Sequence, residues 1–235
     1  MPAEAATTAT DIRSKLALVL DFDDLVPAVR LARDLRPYFG VAKVGLELYA
    51  AAGPDSITTL MDLGYDVFVD LKLLDIPTTV GRATRVLGAL GARYLTLHAR
   101  GDVPMLQAGV EGLREGAERA GLPDPYPLAV TVLTSDAGAP PHIFPHRVAL
   151  AAETGCRGIV CAASDLPEAR QLAPRLLRVV PGLRQVGTDV HDQARAATPR
   201  DALDGGADLL VIGRTITQAD DPAAAAAGLV EELTA

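Results

Sequence analysis

The chain has 235 residues, 49% hydrophobic and 22% charged, with 4% aromatics and no Trp, which fits one large α/β domain or two small ones around an aliphatic core. Its formal net charge of −8, from 22 basic against 30 acidic side chains, argues against a nucleic-acid surface and leaves room only for a local basic site that binds a small anion. The opening MPAEAATTATDIR carries Glu4 and Asp11 with no apolar h-region, and no run approaches the ~18 apolar residues of a membrane span, so a soluble cytoplasmic protein is expected.

In chain order, the Ala/Thr-rich residues 1–12 read as a mobile extension, and residues 13–235 as a single domain without a linker. LALVL (16–20) is the first predicted strand and runs into Asp21, followed by a helical LVPAVRLARDLRPYF. VAKV (41–44) is the second and contains Lys43, with the helical PDSITTLMDLG after it. VFVDL (67–71) is the third, leading into a charged stretch and then the helical TVGRATRVLGALG. YLTLH (94–98) ends on His98, read as a hydrogen-bonded structural histidine, and precedes VPMLQAGVEGLREGAERAG. LAVTVL (128–133) runs into Thr134, followed by HRVALAAETG. GIVC (158–161) ends on Cys161, which with Cys156 reads as a small core residue, not as part of a metal or disulfide pattern. LLRVV (176–180) is followed by a long segment, 183–199, that reads as a lid. LLVIG (209–213) leads into Arg214, and the Ala-rich run 223–227 belongs to a last helix.

Eight such β-α units fit a (β/α)₈ barrel, for which ~250 residues is usual. An open doubly wound sheet is the alternative, but no GxGxxG follows the first strand. Asp21, Lys43, Asp70, Lys72, His98, Thr134, Arg184 and Arg214 all fall at C-terminal strand ends, the face where barrel enzymes act.

The third strand ends in DLKLLDIPTT (70–79), two carboxylates and an ammonium within six residues of an apolar setting. Residues two apart on a strand point the same way, so Asp70 and Lys72 share a face, where Asp21 and Lys43 could join them. In an array of alternating sign each ammonium is held charged by its carboxylate neighbours. Such a lysine is a poor base but a good proton donor and anion stabiliser. A network of structural salt bridges has the same pattern, so the residues alone leave both readings open. Pro77 disfavours helix at Ile76, which predicts an extended loop over Asp75-Ile76-Pro77 that could carry Asp75 beyond its own barrel mouth.

DLKLLDIPTT resembles the D-x-K-x-x-D-I-P-x-T signature of the orotidine 5′-phosphate decarboxylase family. LALVLDFDD, VAKVGLELY, LAVTVLTS, VVPGLR with the later DQ and TP, and LVIGRTIT match further family segments in order, and the chain is identified as a member. The resemblance implies decarboxylation of orotidine 5′-phosphate to UMP and CO₂ in de novo pyrimidine synthesis, with no metal and no cofactor. It implies Lys72 as proton donor, beside Lys43 and Asp70 of the same subunit, in a homodimer. Asp75, with Ile76 and Thr79, would reach into the partner's site. Asp21, Thr134, Pro181, Arg184, Gln193, Gly213 and Arg214 would bind substrate, the last two at its phosphate. Leu74 stands where members often have His and Thr78 where they often have Asn, which implies altered packing or hydrogen bonding rather than lost chemistry.

Two rivals are a Mg²⁺-dependent sugar-phosphate decarboxylase or aldolase of the same superfamily, with Asp70 and Asp75 as oxygen ligands, and a non-catalytic nucleotide-binding barrel. Lys43 and the Ile76-Pro77 continuation favour the nucleotide enzyme over the first, and Lys72 argues against the second.

Overall fold

The computed structural model describes residues 12–133, 136, 138–183 and 197–235. Among them eight parallel strands close into a barrel in sequence order, β8 pairing back onto β1 with Leu16 opposite Leu210. The first half runs β1 (Leu16–Leu20), α1 (Leu25–Leu35), β2 (Val41–Val44), α2 (Leu46–Ala52), α3 (Asp55–Asp62), β3 (Asp66–Leu73), α4 (Pro77–Ala89) and β4 (Ala92–His98). The second runs α5 (Asp102–Arg119), β5 (Tyr126–Val130), α6 (Ile143–Glu153), β6 (Gly158–Val160), α7 (Leu166–Leu172), β7 (Leu177–Val180), α8 (Pro199–Asp204), β8 (Leu209–Ile212), α9 (Arg214–Thr217) and α10 (Pro222–Thr234). No helix among the described residues is long and apolar enough to cross a membrane.

A strand of this kind is covered on both faces and therefore reads as an unbroken apolar run. The two faces feed two cores. Ala17, Val41, Phe68, Leu128, Val179, Leu209 and Val211 pack together inside the barrel. Leu16, Leu18, Leu20 and their counterparts meet the helices outside, where Ile12, in the expected extension, is also buried. Residues 1–11 of that extension lie outside the described residues. Cys156 and Cys161 are buried, and burial pushes their thiols up to about 11 and about 12.

The helices after β3 and β4 approach until backbone meets backbone. A Cβ on Gly112 of α5 would stand 2.2 Å from the Gly81 carbonyl of α4, and one on Gly88 would stand 2.2 Å from the Leu113 carbonyl. Arg85 and Glu115 tie the pair at 2.6 Å. This packing fixes where α4 begins, directly after the charged stretch.

Four local expectations need correcting. The fifth strand stops at Val130, short of the predicted Leu133. Thr131 still donates its N–H to Val160 O (3.2 Å), but its hydroxyl takes the same oxygen (2.7 Å) and its carbonyl accepts from the Arg147 guanidinium, which ends the ladder there. Pro77 is not loop: Ile76 is extended (φ −60°, ψ 149°), and Pro77 opens α4 at the position where a missing N–H is harmless. The helix α2 has no counterpart among the predicted elements, and Gly53 at φ 54° ends it. The third strand runs to Leu73 but does not alternate regularly, as its pairing with β4 makes plain.

Candidate active site

The register of β1, β2 and β3 brings their C-terminal ends together, with Val19 opposite Lys43 and Val44 opposite Val69. Lys43 lies in the fully buried β2, and its ammonium stands 3.5 Å from Asp21 Oδ1 and 3.7 Å from Asp70 Oδ2. Lys72 Nζ donates to both oxygens of Asp70 at 2.9 Å. The side chains of Lys43, Asp70 and Lys72 are 10%, 16% and 34% exposed, whereas Asp21 is 53% exposed. Lys43 and Asp70 are thus drawn into the barrel, Lys72 is partly exposed at its mouth, and Asp21 stays half in water.

Asp70 and Lys72 do meet, but not through simple alternation. Val69 pairs with Leu95 and Leu73 with Leu97, so Asp70, Leu71 and Lys72 all lie opposite the single Thr96. The chain absorbs the excess as a bulge, with Lys72 in the left-handed region at φ 50°. Lys72 N–H then donates to Thr96 Oγ1 at 2.9 Å, and the Thr96 hydroxyl donates to Asp70 Oδ1 at 3.0 Å. A further close approach sits at Gly45, where a Cβ would stand 2.7 Å from Asp21 Oδ1 and 3.1 Å from Lys43 Nζ. Sequence reasoning missed both positions. A lone Thr in the apolar YLTLH, and a Gly directly after the Lys43 strand, were the available signals.

At the end of β4, His98 Nδ1 accepts from Arg100 N–H at 3.3 Å, a structural bond of the kind anticipated. Burial, with Arg147, Arg100 and Lys72 nearby, pushes its imidazole below the usual histidine range. Burial and Arg100 likewise lower Arg147.

The remaining predicted residues are spread around the mouth. Residues 74–79 are all exposed, including Asp75, Ile76, Thr78 and Thr79. Asp75 accepts from its own Ile76 N–H at 2.6 Å and makes no ion pair among the described residues. Gly213 caps the short α9 and lies beside Val19, and Arg214 is exposed, its guanidinium without a hydrogen-bonded partner among the described residues. Pro181 follows β7 directly. Thr134, Arg184 and Gln193, with most of the expected lid, lie outside the described residues.

Two ammoniums around one carboxylate at the C-terminal ends of the strands can stabilise negative charge developing beside them and can deliver a proton to it. No three His, Cys, Asp or Glu side chains among the described residues are grouped to hold a metal ion.

The family model described as "Orotidine 5'-phosphate decarboxylase / HUMPS family" matches residues 14–229. A protein named orotidine 5′-phosphate decarboxylase from Anaeromyxobacter sp. (strain K) is 43% identical over 230 residues, covering 93% of this chain and 98% of that one. Another of that name from Moorella thermoacetica is 41% identical over 234 residues, covering 94% and 92%. Among solved structures, orotidine 5′-phosphate decarboxylase from Lactobacillus acidophilus superposes with a TM-score of 0.80 at 32% identity, covering 94% of this chain and all of that one.

Proposed function

The chain belongs to the orotidine 5′-phosphate decarboxylase / HUMPS family, and we propose that it converts orotidine 5′-phosphate to UMP and CO₂ in pyrimidine synthesis. The observation that carries this reading is Lys72 Nζ at 2.9 Å from both oxygens of Asp70, with the Lys43 ammonium 3.7 Å from Oδ2 of the same carboxylate.

Loss of CO₂ from C6 of the pyrimidine leaves an electron pair in an sp² orbital that the ring delocalises poorly. That carbanion needs a fixed positive charge beside it and then a proton, and Lys72 supplies both. Asp70 keeps the ammonium aimed into the site and faces the departing carboxylate. Lys43 and Asp21 bind the substrate beside them. Arg214, following Gly213, takes the phosphate, in keeping with the usual place of phosphate sites after the last barrel strands. Pro181, Thr134, Arg184 and Gln193 complete the reading of the binding residues.

The reading extends to a cytoplasmic homodimer in which Asp75, with Ile76 and Thr79, completes the partner's site. Support comes from the surface: Leu74 and Ile76 are exposed beside Asp75, and exposed Leu46 follows the neighbouring strand β2. Exposed apolar side chains gathered at one rim favour contact with a second chain, and a carboxylate among them would be carried to that chain.

One experiment tests the chemistry and the shared site together. Purified protein is followed by the absorbance change of orotidine 5′-phosphate, with and without EDTA. Lys72→Ala and Asp75→Asn proteins are assayed singly and after mixing. Turnover that survives EDTA, is lost in each variant and returns on mixing is the expected result, because one site of a mixed dimer collects both changes and the other neither. Activity lost to EDTA and restored by Mg²⁺ favours the sugar-phosphate branch of the family. Failure to recover on mixing, with subunit exchange verified by mass, removes the shared site.

A further inference from the structure

We infer that Thr96 is a positioning residue for the Asp70–Lys72 pair, holding Lys72 in its left-handed turn through one oxygen atom while fixing the carboxylate through the same atom's proton. The inference deepens the decarboxylase reading and rests on it for its kinetic arm.

The geometry leaves little else for this hydroxyl to do. Thr96 sits on β4 with no exposed surface. Its register neighbour across β5 is Leu128, an apolar residue of the inner core, which offers no side-chain partner. A hydroxyl has one donor and two acceptor positions. Here the proton goes to Asp70 Oδ1 at 3.0 Å, and a lone pair receives Lys72 N–H at 2.9 Å. The direction of both bonds is fixed, since an ionised carboxylate only accepts and a backbone N–H only donates.

Each bond answers a problem that the bulge creates. With three β3 residues opposite Thr96, the Lys72 N–H has lost its ladder acceptor, and a buried unpaired N–H is costly. A lysine at φ 50° is also in a region that non-glycine residues adopt only where the surroundings impose it. The bulge is what brings the Lys72 ammonium back over Asp70, two positions upstream. Asp70 Oδ1 meanwhile takes both the Lys72 ammonium and the Thr96 hydroxyl, and Oδ2 faces Lys72 and Lys43. Once Lys72 turns toward a reacting carbon, the hydroxyl is the bond that keeps Oδ1 in place. One atom therefore couples the backbone of the proton donor to the side chain of its counter-ion.

Thr96→Val keeps the shape and removes both bonds, and Thr96→Ser keeps both bonds and removes a methyl. With wild-type turnover established first, Thr96→Val is expected to lower kcat about 30-fold, equivalent to about 2 kcal/mol. KM and UMP affinity should stay within about threefold, and Thr96→Ser should recover most of the lost kcat. A crystal structure of Thr96→Val reads the geometry without reference to turnover, and should have residue 72 out of the left-handed region or its ammonium off Asp70. If Thr96→Val does not fold, Thr96→Ala carries the same comparison with Thr96→Ser. An unchanged kcat, an equal loss in the Ser and Val proteins, a loss confined to KM, or an undisturbed residue 72 overturns the inference. An inactive wild type would instead overturn the decarboxylase reading and leave the crystallographic arm to decide the role of Thr96.

Discussion

Adding one methyl group at Gly45 separates positioning from stability. Gly45 lies at φ −88° and ψ −173°, an extended conformation that alanine adopts freely, so Gly45→Ala introduces no backbone strain. Its Cβ would stand 2.7 Å from Asp21 Oδ1 and 3.1 Å from Lys43 Nζ. Restoring ordinary contact moves the Asp21 oxygen by about 0.7 Å and the ammonium by a few tenths. Asp21 is 53% exposed and can swing outward, whereas the Lys43 side chain is 10% exposed and is confined between Asp21 and Asp70. The strain is relieved by opening the Lys43–Asp21 contact. In a half-exposed pair that contact contributes ~0–1 kcal/mol, and replacing glycine by alanine in a compatible conformation stabilises by ~0.4–1 kcal/mol. Net stability should stay within about 1 kcal/mol of wild type. Activity is less forgiving, because misplacement by 1 Å can cost about 100-fold, so kcat/KM should fall roughly 10- to 100-fold. Urea unfolding and steady-state turnover of orotidine 5′-phosphate measure the two quantities. The same substitution in an Asp21→Ala background should cost much less, since the displaced oxygen is gone. A large loss of stability, or an undiminished effect without Asp21, would refute the reasoning.

Gly112→Ala should act in the opposite sense, destabilising by about 1–3 kcal/mol in urea unfolding because its Cβ meets Gly81 O at 2.2 Å and Thr84 Oγ1 at 2.4 Å. His98 is lowered below its usual 6.5 in the fold, so the unfolded chain binds its proton first, and its contribution is present above pH 6.5 and lost as pH falls through the lowered value. Unfolding from pH 8 to about 5 should therefore show wild type losing stability relative to His98→Gln on the acid side, and parallel curves would remove the effect. Arg214→Ala should cut kcat/KM for orotidine 5′-phosphate at least about 30-fold, while scarcely changing turnover of orotidine, which lacks the phosphate. Equal slowing of both substrates would make Arg214 a structural residue.

The barrel was legible because each strand is covered on both faces and so appears as a bounded apolar run, such as LALVL over β1 and VAKV over β2. Where hydrophobicity and pairing part company, that signal misleads. Val132 and Leu133 extend the apolar run of β5, but Thr131 has already turned its polar groups toward Val160 and Arg147. Pro77 reads as a breaker from one side and as a helix start from the other, and the chain uses both senses at once. The short α2 lies in a stretch, LELYAAA, too brief for its periodicity to stand out.

The charged cluster was legible for a related reason: Lys43, Asp70 and Lys72 are conspicuous within apolar strands. Thr96 and Gly45 are not, because one matters through a register shift and the other through the absence of an atom. Those two features decide how the visible charges add up. Asp21 stands half in solvent, where water screens it, while Lys43 and Asp70 are withdrawn from water and Lys72 is partly so. Within one chain two ammoniums flank one carboxylate, and in the proposed dimer Asp75 of a second chain completes the alternation, so the Lys72 charge is held at a fixed place. A carbanion that cannot delocalise into its own ring requires that, and preorganised charge of this kind needs no rearrangement when the electron pair appears. The bulge at Lys72 sets where the charge points, and the bare Cα at Gly45 leaves the Lys43 ammonium room to stand beside it.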